Sequence, residues 1–111
     1  MNYVIDYYNE AVQADILTLP KTLLARYFTL AERMEIYGAN LGEPHTKPFG
    51  DGLFELRLRG AEGIARVFYC TQTRRRIVIL HSFVKKSQKT SPKERRIAET
   101  RMKEVKNVDT R

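Results

Sequence analysis

Gly52-Leu53-Phe54-Glu55-Leu56-Arg57-Leu58-Arg59, then Ile64-Ala65-Arg66-Val67-Phe68-Tyr69-Cys70, then Arg76-Ile77-Val78-Ile79-Leu80-His81-Ser82-Phe83-Val84 follow one another closely and run straight into Lys85-Lys86-Ser87-Gln88-Lys89. In the first segment Phe54, Leu56 and Leu58 alternate with Glu55, Arg57 and Arg59, the period-two pattern of a strand with one buried and one polar face. The other two segments are apolar on both faces, as central strands are. Gly60–Gly63 makes a tight connection and Thr71–Arg75 a longer, basic one, so the three strands read as an antiparallel meander. Arg66 and His81 are the polar exceptions on the apolar strands, and a polar group buried there requires a partner or a ligand. Simple alternation puts His81 on one strand face with Ile79 and Phe83.

Working outward, Tyr3–Tyr8 is rich in aromatic and β-branched residues and reads as an opening strand. Asn9 can cap a helix over Glu10–Leu19, which Pro20 breaks. A second helix starts there, with Leu24, Tyr27, Phe28, Ala31, Met34 and Tyr37 as a broad apolar stripe ending at Gly38. The two helices form a hairpin over one sheet face, and Gly38–Gly52 reads as a loop. On the other side, Ser91-Pro92-Lys93-Glu94 has the form of a capping box, with Glu94 reaching back to the cap. The helix that follows runs to about Val105 on a thin seam of Ile97, Ala98, Met102 and Val105. The expected architecture is α+β: a strand, a two-helix hairpin packed on an antiparallel sheet with a three-stranded meander, and a C-terminal helix.

A chain of 111 residues, 42% hydrophobic and 30% charged, suits a single domain spanning 1–111 with one packed core. Cys70 is the only cysteine, so no disulfide or cysteine-based metal site forms within one chain, and it reads as a core residue of a cytosolic protein. No apolar run approaches the roughly 20 residues of a membrane span, and no basic segment precedes the first apolar residues, so neither export nor insertion is indicated. Net charge is +7, unevenly spread: residues 1–50 balance to −2 and residues 51–111 to +9. That polarity favours a polyanion, nucleic acid being the commonest in the cytosol, against a merely solvated surface or an acidic protein partner.

The order of elements, together with Gly52-Leu53-Phe54-Glu55-Leu56-Arg57, Ala65-Arg66-Val67-Phe68-Tyr69 and Ile79-Leu80-His81-Ser82-Phe83-Val84-Lys85-Lys86-Ser87-Gln88-Lys89-Thr90, resembles the RelE/ParE toxin superfamily, and within it the HigB-like, phage-derived branch. The resemblance covers nearly the whole chain. It implies a small RelE-like fold and the toxin of a type II toxin–antitoxin pair, neutralised by an antitoxin that is often a helix-turn-helix DNA-binding protein. It implies a cytoplasmic mRNA endoribonuclease that acts on the ribosome, inhibits translation and needs no metal or other cofactor. The ParE side of the superfamily poisons DNA gyrase instead, and a non-catalytic nucleic-acid-binding module is a further alternative.

Metal-independent RNA cleavage uses the ribose 2′-OH as nucleophile, so the protein must take its proton and stabilise charge on the phosphoryl oxygens. Arg66 and Arg57, on neighbouring strands, suit the phosphate because a guanidinium offers paired donors. The plainer readings are a core carboxylate partner for Arg66 and solvent for Arg57. Lys85 and Lys86 leave the last strand where a charged groove opens, and crowding among cations can bring one of them towards a base role. The plainer alternative is contact with backbone phosphates only. His81 has the right pKa for proton transfer, set against an ordinary hydrogen-bonded place in the core. Lys47, Arg59 and Lys89 are candidate substrate contacts, and Tyr69 and Phe83 candidate stacking platforms, with packing as the default for both aromatics. Glu55 stands where many ribosome-dependent relatives carry a cation.

Overall fold

The computed structural model describes residues 2–86 and 91–109. Its elements are β1 (Val4–Tyr7), α1 (Glu10–Leu17), α2 (Lys21–Tyr37), β2 (Thr46–Gly50), β3 (Leu53–Gly60), β4 (Gly63–Gln72), β5 (Arg76–Val84) and α3 (Pro92–Asp109). They build a small α+β fold around one five-stranded sheet in the order β1-β5-β4-β3-β2. The β3–β4–β5 meander is antiparallel throughout. β1, however, pairs in parallel with β5, Val4 opposite Arg76 through Tyr7 opposite Ile79, so the sheet is mixed and not antiparallel as expected. Apolar alternation is the same in either chain direction and carries no information about it.

β2 lies inside the stretch expected to be loop and pairs with β3, Lys47 opposite Glu55. Pro48 is tolerated because β2 is an edge strand, and the register shifts between Pro48 and Gly50. The turn back to β3 uses Asp51 and Gly52 at positive φ, and a Cβ on Gly52 would stand 2.9 Å from Thr71 Oγ1.

Both faces of the sheet are covered. α1 opens with Asn9 Oδ1 accepting from the Val12 N–H at 2.9 Å and buries Val12 and Ile16. α2 buries Leu23, Tyr27, Leu30, Ala31 and Met34 and stops at Gly38, where φ is +98°. Tyr27, Ala31 and Met34 of the expected stripe are buried, and Leu23 and Leu30 join them; Leu24 is half-buried, while Phe28 is 49% and Tyr37 73% exposed. These helices pack on Leu56, Leu58, Ala65, Val67, Tyr69, Ile77 and Ile79. α3 covers the opposite face, where Ala98 and Met102 meet Leu53, Phe68, Cys70, Val78 and Leu80. Two-sided cover explains why β4 and β5 are apolar on both faces.

A β-bulge refines that pattern. Phe68 pairs with His81 and Tyr69 with Ile79, which leaves Leu80 as the extra residue. Leu80 and His81 consequently both serve the α3 side, and Ile79 belongs to the other core. Ile79 and His81 therefore do not share a face. None of the helices among the described residues is long and apolar enough to cross a membrane.

Candidate phosphate-binding site

α3 docks over the Leu53, Phe68 and Leu80 end of its sheet face and leaves the rest of that face open. The open part is the polar side of β3 and its neighbours, and register decides what gathers there. Lys47, Glu55, Phe68 and His81 form one cross-strand row, and Arg57, Arg66 and Phe83 form the next. The result is a cavity of about 550 Å³ lined by Lys47, Phe49, Glu55, Arg57, Arg66, Phe68 and Lys85 from the sheet side and by Ser91, Pro92 and Arg95 from the start of α3.

Glu55 is the hub. It is only 3% exposed, and its Oε1 lies 3.4 Å from Arg57 Nε and 3.5 Å from Arg66 Nε. The Arg66 contact is an ion pair off the hydrogen-bonding direction, since its buried Nε–H has no acceptor of good geometry; Nη1 donates to the Ala65 carbonyl at 3.4 Å. One carboxylate thus faces five cationic side chains around the cavity, and the net field is strongly positive. Burial, together with the charges of Arg57 and Arg59, holds Arg66 below the ordinary guanidinium range against the pull of Glu55. Arginine remains charged at neutral pH even so. Burial and then the Arg66 charge hold the Lys85 ammonium below the ordinary lysine range, while Glu55 acts in the opposite sense. The Lys85 backbone N–H donates to Ile64 at 2.8 Å, which ties the end of β5 to β4.

The structure brings together four of the expected residues here: Arg57, Arg66, Lys85 and Lys47. Arg59 lies beside them on an adjoining cavity, also of about 550 Å³, lined by Arg26, Pro44, His45, Arg57, Leu58, Arg59 and Arg66. Lys86 is exposed and lines neither cavity. Lys89 lies outside the described residues. His81 is outside both cavities as well; its Nε2 meets Glu94 Oε2 at 3.2 Å and its ring stacks on Phe83, so it fastens α3 to the sheet. Among the described residues Glu94 accordingly does not close the capping box, and the Ser91 hydroxyl caps α3 by accepting from the Lys93 N–H at 3.2 Å. Phe83 is a half-buried part of the α3-side core, stacked on Phe68.

Tyr69 is on the far face of the sheet, fully buried, stacked on Phe54 and donating to the Ala39 carbonyl at 2.5 Å. It cannot stack on a ligand in either cavity. Tyr69→Phe is expected to cost about 1–2 kcal/mol of stability, because the buried Ala39 carbonyl loses its donor, and to leave oligonucleotide affinity within twofold of wild type. Denaturant unfolding and a binding titration on the same preparation check both halves.

Phe49 and Arg95 are contributors to the first cavity that the sequence did not single out. Phe49 lies between cations, with Lys47 Nζ 5.5 Å and the Arg95 guanidinium 4.5 Å from its ring centroid. Arg95 sits on the polar side of α3, and only the docking of that helix brings it over the sheet.

Residues 14–103 match the family model described as phage-derived protein Gp49-like (DUF891), a span that contains every residue lining the two cavities. A search of the curated proteins gives no match. With the great majority of its length under that model, the chain belongs to the family of phage-derived Gp49-like proteins.

Proposed function

We propose that this protein is the toxin of a type II toxin–antitoxin pair and a ribosome-dependent mRNA endoribonuclease of the HigB-like kind. Two things support the reading: the Gp49-like family is toxin-like and related to RelE/ParE-type toxins, and Arg57, Arg66, Lys85 and Lys47 converge on one cavity. The convergence carries the argument, because scattered cations would bind a polyanion without offering a place for one phosphodiester.

In this reading the 2′-OH attacks the adjacent phosphorus and the P–O5′ bond breaks, forming a 2′,3′-cyclic phosphate while the departing 5′-oxygen takes a proton from water to leave as a hydroxyl. Arg66 and Arg57 hold the phosphoryl oxygens as charge builds on them. Lys85, in its neutral form, takes the 2′-OH proton. Lys47 and Arg95 flank the strand, and the ribosome supplies the orientation of the message in the cytoplasm. The partner is an antitoxin that presents acidic groups to the same cations.

The test is translation of a defined message with purified components, followed by mapping of RNA ends. New 5′-hydroxyl ends are expected only when protein and ribosomes are both present, with no effect in a gyrase supercoiling assay. Intact messages under translation would end the nuclease reading, and blocked supercoiling would replace it with the gyrase one.

Lys85 gives this mechanism a pH signature. A base must be neutral to act, so the rate rises with pH through the lowered pKa of Lys85. Glu55 is the charge that raises that pKa, so Glu55→Gln is expected to move the rising limb of the pH–rate profile to lower pH, and Lys85→Ala to flatten it. A limb that Glu55→Gln moves upward would remove Lys85 as base. The stability sign follows as well. The unfolded state binds more protons than the folded one between the lowered pKa and the ordinary lysine value, so the Lys85 contribution becomes more favourable as pH rises through that window.

A further inference from the structure

Arg57 and Arg66 line both cavities, so the two spaces adjoin across this pair, yet only the first is lined by Lys85, Lys47 and Arg95 as well. The second, around the β3 side of the sheet, is a different kind of place. Its lining holds four guanidinium side chains, Arg26, Arg57, Arg59 and Arg66, with His45 and no acidic residue. Glu55 lines the first cavity, where it compensates Arg57 and Arg66. Among the described residues no carboxylate lies within ion-pairing distance of Arg26 or Arg59. Four elements contribute: Arg26 from α2, His45 from the turn before β2, Arg57 and Arg59 from β3, and Arg66 from β4. Pro44 adds exposed apolar surface, while Leu58 is fully buried in the core beneath, and the Arg57 N–H donates to the His45 carbonyl at 2.8 Å, which fixes that turn against β3.

We infer that this second cavity is a subsite for the neighbouring phosphate and nucleoside of a single-stranded polynucleotide whose scissile phosphate sits in the first. The inference rests on the function proposed above and extends it to the minimum ligand, a strand with two successive phosphodiesters. Guanidiniums without compensating acids match phosphate, and the exposed Pro44 with the partly exposed His45 ring suits the flat face of a base. An acidic peptide would use the arginines and leave Pro44 and the His45 ring without a role. Continuity through Arg57 and Arg66 is what a chain of phosphates requires and an isolated anion does not.

The experiment uses thymidine oligonucleotides, which lack the 2′-OH and cannot be cleaved. Wild-type protein is expected to bind the trinucleotide, with two phosphodiesters, at least tenfold more tightly than the dinucleotide, with one. Arg26→Ala and Arg59→Ala, each confirmed folded by thermal melting, are expected to reduce that advantage to about twofold. Each is also expected to lower the slope of log affinity against log salt for the trinucleotide by about 0.7, the value for one phosphate on a single strand. Because Arg59 is exposed, its variant is safe from unfolding if Arg26→Ala is not. If Arg57→Ala weakens trinucleotide binding while Arg26→Ala and Arg59→Ala leave it unchanged, the second subsite is wrong and the first cavity stands. If none of the three changes it, or wild type binds neither oligonucleotide, the nucleic-acid reading of both cavities fails. An acidic peptide that competes with the dinucleotide but is insensitive to Arg26→Ala supports the subsite, whereas one that requires Arg26 and displaces no oligonucleotide overturns it.

Discussion

Under the proposed nuclease function, Arg66→Ala is expected to lower ribosome-dependent cleavage by about 10²–10³-fold, the usual cost of losing one preorganised donor to a developing oxyanion. Arg66 is singled out because it is central: it lines both cavities, stands directly opposite Arg57, and its side chain is only 14% exposed. Lys47, by contrast, is exposed at the edge and its loss should act mainly on binding. The same substitution touches stability, since Glu55 is buried and loses a cation 3.5 Å away. Arg57 remains at 3.4 Å, so a cost of about 1–3 kcal/mol is expected, less than for a fully orphaned buried charge. The double variant Arg66→Ala/Glu55→Gln separates the two effects. It should recover most of the stability, because the buried acid is gone, while cleavage stays low. Arg66→Lys should fall between, keeping the charge but losing the planar pair of donors. Cleavage that returns with stability in the double variant would make Arg66 a structural partner of Glu55 and nothing more.

What the chain discloses before folding follows from which forces are local. The meander was readable because strand alternation in Leu53–Arg59 and the glycines of its first turn are local signals, and they place Arg57 opposite Arg66 without knowledge of the rest. β2 was hidden because Pro48 and Gly50 are poor strand residues that only an edge position accepts. The bulge at Leu80 was hidden for another reason: one extra residue in a fully apolar strand leaves no break in composition, and every face assignment beyond it shifts. That single residue took His81 from its expected place beside Ile79 to a contact with Glu94. Glu94 itself satisfied a capping motif on paper but was captured by a tertiary partner.

The site divides along the same line. Arg57, Arg66 and Lys85 are brought together by the pairing of the meander, which the pattern encodes, whereas Lys47 joins them through the β2–β3 pairing, which it does not. Arg95, Phe49, Arg26 and His45 reach the cavities through the docking of α3, α2 and the turn before β2. Helix periodicity gives the buried seam of α3 but not where along the sheet that seam will lie. Glu55 was visible as an anomaly, an acid where a cation was expected. Its role as the counter-charge that holds two arginines side by side needed the register across β3 and β4.

The separateness of the two cores yields the last large effect. Ala98 is fully buried where α3 meets Leu53, Phe68, Cys70, Val78 and Leu80, on the face opposite the α1/α2 core. Ala98→Glu keeps a good helix former, so α3 itself should still form; what it loses is docking, by roughly 3 kcal/mol or more for a carboxylate driven into an apolar contact. The polar ties that remain include Arg101 Nη1 to the Leu80 carbonyl at 2.7 Å, Glu94 to His81 at 3.2 Å, Tyr8 to Glu104 and Lys106 to the Asp51 carbonyl, and being exposed or only partly buried they do not offset that cost. Amide exchange in α3 should accelerate about 100-fold or more, while β4 and β1, held from the other face, keep most of their protection. The first cavity then loses Ser91, Pro92 and Arg95, whereas no residue of α3 lines the second. Trinucleotide affinity should fall, and the part that survives should still depend on Arg26 and Arg59. Loss of protection throughout the sheet at the same rate as in α3 would show instead that the two cores melt as one, and α3 would then be a structural keystone and not a detachable wall of the site.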